Sequence, residues 1–262
     1  MHGTSAITAI TAQNTREVSR VHTLAPEVVL AQIRAVLADI RVDAVKVGML
    51  ATADITRVVA QALDELPEGT PVVVDPVMVA ESGARLLAPE AQRALIEAIL
   101  PRASVLTPNL PEARVLAGAP SASEDASKDL AFDAEGEQRT RSSEEEEAEA
   151  HALARAVLAL GPRIVVLTGG HRARATDLFL DSAGDGSIVT IDGVRHPDGA
   201  AHGSGCTHSS VLAAQLALGR TPLQAAETAR ALAGEAVAHG LRDVGAGAGP
   251  VDVLDLGRMR EK

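Results

Sequence analysis

Apolar residues recur along this chain in two alternating rhythms. Short runs rich in Val and Ile, bounded by Gly, Pro or Asp, alternate with longer stretches whose apolar positions repeat every three to four residues. The short runs predict strands at 5–11, 18–24, 43–47, 71–75, 104–106, 163–168, 177–181 and 187–192. The longer stretches predict helices at 26–39, from a cap at Asp54 to Leu66, and at 89–100, 109–117, 143–160, 205–218 and 222–238. Pro26 suits a first helical turn, and Val29, Ile33, Val36, Leu37 and Ile40 share one face behind it. Between Pro71 and Asp75 every residue is Val, as expected of a strand buried on both faces. This order implies an α/β fold, a mostly parallel sheet with helices on both faces, in one domain over 1–262.

Ligands of such sheets bind beyond the carboxyl ends of the strands. The residues there are Gly48-Met49-Leu50, Asp75-Pro76-Val77-Met78, Thr107-Pro108-Asn109 and Thr168-Gly169-Gly170-His171. Polar, Gly and Met residues gather where a site is expected.

Composition narrows the class. Hydrophobic residues make up 46% of the 262 but aromatics only 1%, so the core is built from Ala, Val, Leu and Ile. One cysteine excludes a disulfide framework and fits a reducing compartment. No apolar run approaches the roughly 20 residues that span a bilayer, and nothing at the start reads as a secretory leader. These features predict a cytoplasmic protein without membrane partners. The net charge of −11 argues against nucleic-acid binding. Most of that charge sits between 121 and 149, where eleven acids face three bases, leaving only −3 for the remainder. The segment at about 119–145 therefore predicts an acidic, solvent-exposed insert in a near-neutral domain. Lysine is scarce: Lys46, Lys128 and Lys262 are all there are.

His202-Gly203-Ser204-Gly205-Cys206-Thr207 is the most informative stretch. Its glycines allow a tight turn into a helix whose N-terminus offers unpaired N–H groups to an anion. Cys206, the lone thiol, stands there as a candidate base, with the helix dipole expected to lower its pKa. Asp75 ends a buried strand, where a carboxylate is costly unless paired or bound to a cation such as Mg²⁺. Asn109 and Glu112 have the spacing of a helix capping box, and Glu112 could complete a Mg²⁺ and phosphate network with Asp75. Thr168 and Gly170 could face a nucleotide. Gln13 can donate and accept at once, which suits an aminopyrimidine edge.

Taken in order, six blocks carry a resemblance. They are Ser5-Ala6-Ile7-Thr8-Ala9-Ile10-Thr11-Ala12-Gln13-Asn14-Thr15; Lys46-Val47-Gly48-Met49-Leu50; Val74-Asp75-Pro76-Val77-Met78 with Ser82-Gly83; Leu106-Thr107-Pro108-Asn109-Leu110-Pro111-Glu112-Ala113; Thr168-Gly169-Gly170-His171; and the 202–207 stretch. The chain closely resembles the hydroxymethylpyrimidine/phosphomethylpyrimidine kinases, the thiamine-pathway branch of the ribokinase-like superfamily. The resemblance covers nearly the whole chain except the acidic insert.

It implies a three-layer α/β/α fold and ATP-dependent phosphorylation of 4-amino-5-hydroxymethyl-2-methylpyrimidine and then of its monophosphate. Cys206 would take the substrate's hydroxyl proton or help line the anion hole, with the N–H groups of Gly203, Ser204, Gly205 and Cys206 stabilising the transferring phosphoryl group. Gln13, Met49 and Val77 would line the pyrimidine pocket. Asn109 and Glu112 would position Mg²⁺ and phosphate, assisted by Asp75. Thr168, Gly170 and the 191–200 loop would lie near ATP. A homodimer is compatible with this reading.

The family usually opens with a strand and a Gly/Asp/Ser-rich loop, whereas this chain starts near the following strand, which predicts apolar surface left open beside it. The family often has Lys where Thr168 stands, so phosphate affinity is expected to depend on Arg172, Arg174 or Mg²⁺. A pyridoxal-type vitamin kinase and a catalytically weak ligand-binding relative are the alternative readings.

Overall fold

The valine run becomes a strand with no exposed residue, and its two faces divide the protein into layers. The computed structural model describes residues 2–78, 86–119, 142–170, 172, 175–197 and 199–255. Most of the acidic insert (120–141), Ser82-Gly83, His171 and Arg174 lie outside the described residues. The strands are β1 (Ala9–Gln13), β2 (Val18–Thr23), β3 (Val45–Val47), β4 (Val72–Val74), β5 (Val105–Leu106), β6 (Ile164–Leu167), β7 (Asp177–Asp181) and β8 (Val189–Ile191). The helices are α1 (Pro26–Asp39), α2 (Ala53–Leu63), α3 (Pro89–Ala94), α4 (Leu110–Leu116), α5 (Ser143–Leu158), α6 (Ser204–Ala217) and α7 (Pro222–Ala238).

Six strands form the main sheet in the order β3-β4-β5-β6-β7-β8. The first four run parallel, while β7 and β8 are antiparallel additions. Side-chain alternation feeds two cores. Val72, Val74, Leu106, Val165, Leu167 and Leu178 pack with residues of α1 to α5. Val73, Val105, Ile164, Val166, Phe179 and Ile191 pack under α6 and α7. The expected three-layer α/β/α architecture follows. Among the described residues, no helix is long and apolar enough to cross a membrane.

Three local expectations change. The first strand lies at Ala9–Gln13 rather than 5–11, and it pairs only with β2 in a separate two-stranded ribbon. Residues ahead of it are held elsewhere: the backbone of Ile7 exchanges hydrogen bonds with the Gln32 amide of α1, and the Thr8 hydroxyl donates to the Met49 carbonyl (2.7 Å). The cap of α2 is Thr52, whose hydroxyl accepts the Ile55 N–H. Asp54 lies in the first turn instead, paired with Arg57 (2.8 Å), where the helix dipole favours an acid. The helix expected over 89–100 stops being α-helical at Ala94, widens into a π turn at Leu95–Ile99 and closes with a 3₁₀ turn at Leu100–Arg102. Pro101 explains this, because it lacks an N–H and its ring would clash with the Glu97 carbonyl in a regular helix.

β3 is an edge strand, and a cavity of about 540 Å³ opens along its outer side, lined by residues such as Ile7, Ile33, Val45 and Met49. The central strands carry the packing. Leu106, with no exposed surface, should lose about 2–5 kcal/mol of unfolding free energy as Leu106→Ala, measurable by urea denaturation.

Candidate active site

Four loops meet at the carboxyl ends of β3 to β6, and the start of α6 closes over them. Gly203 is the N-cap of α6 with φ +88°, a conformation that favours glycine. The helix then begins at Ser204, and its first i→i−4 bond runs from the Thr207 N–H to the Gly203 carbonyl (2.9 Å). The N–H groups of Gly205 and Cys206 precede that bond and are open to an anion. Ser204 departs from expectation: its N–H already donates to the Ala201 carbonyl (3.0 Å), so it leaves the set of free donors.

Two buried carboxylates face this turn. Asp75 is 6% exposed, and its Oδ2 accepts the Ser209 hydroxyl of α6 (2.9 Å) and lies 3.2 Å from the Lys46 ammonium. Glu112 completes the expected capping box with Asn109: each accepts the other's backbone N–H, at 2.9 and 3.0 Å. Burial, reinforced by the nearby Asp75 charge, pushes the Glu112 carboxyl up to about 8, against backbone N–H groups of Asn109 and Met78 that favour the anion.

The Cys206 thiol corrects an expectation from the sequence. Its pKa is raised, not lowered. Burial of the thiol is the main cause, although the residue as a whole is exposed. The Asp75 carboxylate, to which the thiol hydrogen-bonds, and Glu112 add to the rise, while the Lys46 charge opposes it. The structure therefore brings Cys206, Asp75 and Glu112 together, and adds Lys46.

The other expected residues surround this centre. Met49 and Val77, both half-buried, follow β3 and β4. Gln13 ends β1, exposed, with its amide oxygen accepting the Thr11 hydroxyl (3.3 Å). The turn after it reaches the loop that pairs with His202: the Gly247 N–H donates to the Thr15 hydroxyl (3.2 Å), and His202 bridges to Pro250. Thr168 follows β6 and bridges to Asn109, with its N–H donating to the Pro108 carbonyl (2.9 Å). Gly169 permits a close approach there, since a Cβ would lie 2.3 Å from the Thr176 carbonyl oxygen. Gly170 is exposed. Arg172 does not offer its charge to a phosphate. It is 2% exposed, pairs with Glu147 and donates to the Thr176 carbonyl (2.9 Å).

Comparison with known proteins fits this geometry. A family profile described as phosphomethylpyrimidine kinase matches residues 1–134 and 134–252. The chain belongs to this family. It is 40% identical over 254 residues to the hydroxymethylpyrimidine/phosphomethylpyrimidine kinase of Rhizobium meliloti strain 1021, covering 96% of this chain and 85% of that one. Among solved structures it resembles the phosphomethylpyrimidine kinase of Clostridium difficile 630, with TM-score 0.66, 31% identity and coverage of 88% and 84%. It also resembles the Staphylococcus aureus pyridoxal kinase in complex with AMP-PCP and pyridoxal, with TM-score 0.72, 28% identity and coverage of 97% and 83%. As a family member the chain is a phosphotransferase of the ribokinase-like fold.

Among the described residues, no group of three or more His, Cys, Asp or Glu side chains forms a ready-made metal cage. A pair of neighbouring carboxylates nevertheless fits Mg²⁺, which typically takes one or two carboxylates and completes its shell with water and phosphate oxygens. Burial above all, and the Asp75 charge with it, disfavours the ionised form of Glu112.

Sequence reasoning missed Lys46, Ser209 and the contact of the neighbouring His208 with Asp177 (3.1 Å). The scarcity of lysine was the available signal for the first. Because the folded pKa of Glu112 lies above its ordinary 4.5, the native state holds a proton that the unfolded chain has released. Stability should therefore fall as pH rises from about 4.5 to about 8. Glu112→Gln keeps the cap and should flatten that slope in urea unfolding measured across the interval.

Proposed function

We propose that this chain transfers the terminal phosphoryl group of ATP to the hydroxyl of 4-amino-5-hydroxymethyl-2-methylpyrimidine, and then to the phosphate of the resulting monophosphate, in thiamine biosynthesis. One observation carries the reading: the open N–H groups at the start of α6 lie with Cys206 against the Asp75–Glu112 pair.

In the first transfer the substrate hydroxyl oxygen bonds to phosphorus as the bond from phosphorus to the ADP oxygen breaks. The N–H groups of Gly205 and Cys206 meet the charge on the transferring group. The hydroxyl proton passes to the Cys206 sulfur, which first releases its own proton to solvent, while Asp75 stays ionised. Burial and the Asp75 and Glu112 charges oppose that thiolate, and the Lys46 ammonium favours it. Met49, Val77 and Gln13 hold the pyrimidine, and Thr168, Gly170 and the 191–200 loop face the nucleotide. Glu112 and Asp75 would hold Mg²⁺, with Asn109 orienting Glu112, and the ion would neutralise charge on the phosphate oxygens. Pyridoxal is the competing acceptor, favoured by the likeness to the pyridoxal kinase structure.

With ATP and Mg²⁺, the purified chain should add one and then two phosphoryl groups to the hydroxymethylpyrimidine, read by product mass, and should act faster on it than on pyridoxal. Preference for pyridoxal would move the assignment to the vitamin kinase alternative. Cys206→Ala should lower kcat by about 100-fold or more while the melting temperature stays close to that of the parent. Unchanged turnover would remove Cys206 from the proton path.

A further inference from the structure

Lys46 occupies an unusual place in the sheet. In register it lies beside Val73, and Val73, Val105 and Ile164 continue the same row across β4, β5 and β6. Those three aliphatic residues belong to the core beneath α6 and α7. A lysine in this row faces desolvation unless its charge is matched. An edge-strand lysine that merely deters pairing projects into solvent, but the Lys46 side chain is only 22% exposed. It turns back over Gly48, where a Cβ would lie 2.9 Å from its Nζ. The ammonium is thereby placed 3.2 Å from Asp75 Oδ2.

That same oxygen accepts the Ser209 hydroxyl at 2.9 Å. Ser209 has no exposed surface and also reaches the carbonyls of Gly205 and Cys206, at 3.0 and 3.2 Å. One carboxylate oxygen thus joins β3 to α6 at Ser209, one turn behind its open end. Without the ammonium, Asp75 would remain buried near a second carboxyl with less to hold its charge in place.

We propose that Lys46 is a positioning residue for phosphoryl transfer: its ammonium fixes the Asp75 carboxylate, which holds Ser209 and the Cys206 turn of α6 in register with the strand ends. The effect on rate rests on the kinase reading above, whereas the effect on the Cys206 turn does not.

The test uses Lys46→Met and Lys46→Arg in the full chain, with melting temperature as the control for folding. In Lys46→Met, kcat should fall by about 10-fold or more while KM for ATP and for the pyrimidine changes little, and Lys46→Arg should recover part of the loss. Cys206 is the only thiol, so its iodoacetamide alkylation rate at one fixed pH reads the turn without any substrate. That rate should change by about threefold or more in Lys46→Met and return towards the parent value in Lys46→Arg. If the parent chain transfers no phosphoryl group, the kinase reading fails and alkylation alone decides the positioning role. Folded Lys46→Met with parental kcat and alkylation rate would overturn the proposal. So would equal losses in both variants that track the unfolded fraction. If Lys46→Met does not fold, Gly48→Ala displaces the ammonium while keeping it. A smaller change of the same kind would support the role, and parental behaviour would overturn it.

Discussion

The buried bond from the Ser209 hydroxyl of α6 to the Asp75 carboxylate is what ties α6 to the strand ends, and the adjacent His208 lies against a second buried carboxylate, Asp177. Ser209 donates to Asp75 just beyond β4, and His208 meets Asp177 at the start of β7. Asp177 also accepts the Gly169 N–H (2.8 Å) from the loop after β6 and lies 3.7 Å from Arg230 of α7. The first turn of α6 must stay open if its N–H groups are to meet an anion, so it cannot be fixed by packing against its own end. The Ser209–Asp75 bond fixes the next turn instead. Buried polar contacts of this kind are costly when broken singly, because the remaining partner is left without compensation.

Positive charge is distributed in a way that sharpens the chemistry. Arg172, Arg195 and Arg230 donate to the carbonyls of Thr176, Arg172 and Ala175, which holds the turn between β6 and β7 in shape. Beside Cys206 the described cation is Lys46, itself matched by Asp75. In the proposed reaction, the open helix N–H groups and an added cation would meet the charge of a triphosphate.

What could be read from the sequence follows the range of the interactions involved. Strands β4 and β6 were legible because burial on both faces leaves a run of Val, Ile and Leu that needs no partner to recognise. The capping box at Asn109 and Glu112 was legible because both partners lie within one turn. The ribbon strand β1 was misplaced because Ile7 and Thr8 bond to Gln32 and Met49, far along the chain. Lys46 was not legible as part of the site because its meaning comes from Asp75 and, through it, from Ser209, which lies 134 residues further along. The direction of the Cys206 shift was missed for a similar reason. The helix dipole is a local property, whereas burial and the Asp75 and Glu112 charges arise only in three dimensions.

The Glu112 capping box also contains an argument about purpose. The same motif opens α5, with Ser142 and Glu145, and α7, with Thr221 and Gln224. In α5 the acid is exposed, so capping costs it no desolvation. In α7 an uncharged Gln performs the same cap. Only in α4 does a carboxyl perform the cap while buried beside a second carboxyl, at a site where Gln would serve the helix equally well. Capping therefore explains the spacing of Asn109 and Glu112 but not the acid. In the proposed reading, a carboxyl kept neutral by burial would ionise as Mg²⁺ arrives, with Asp75 sharing the ion. The cap supplies the rigidity, with one oxygen of Glu112 tied to the Asn109 N–H, and in the proposed reading the acid would supply the bond to the cation.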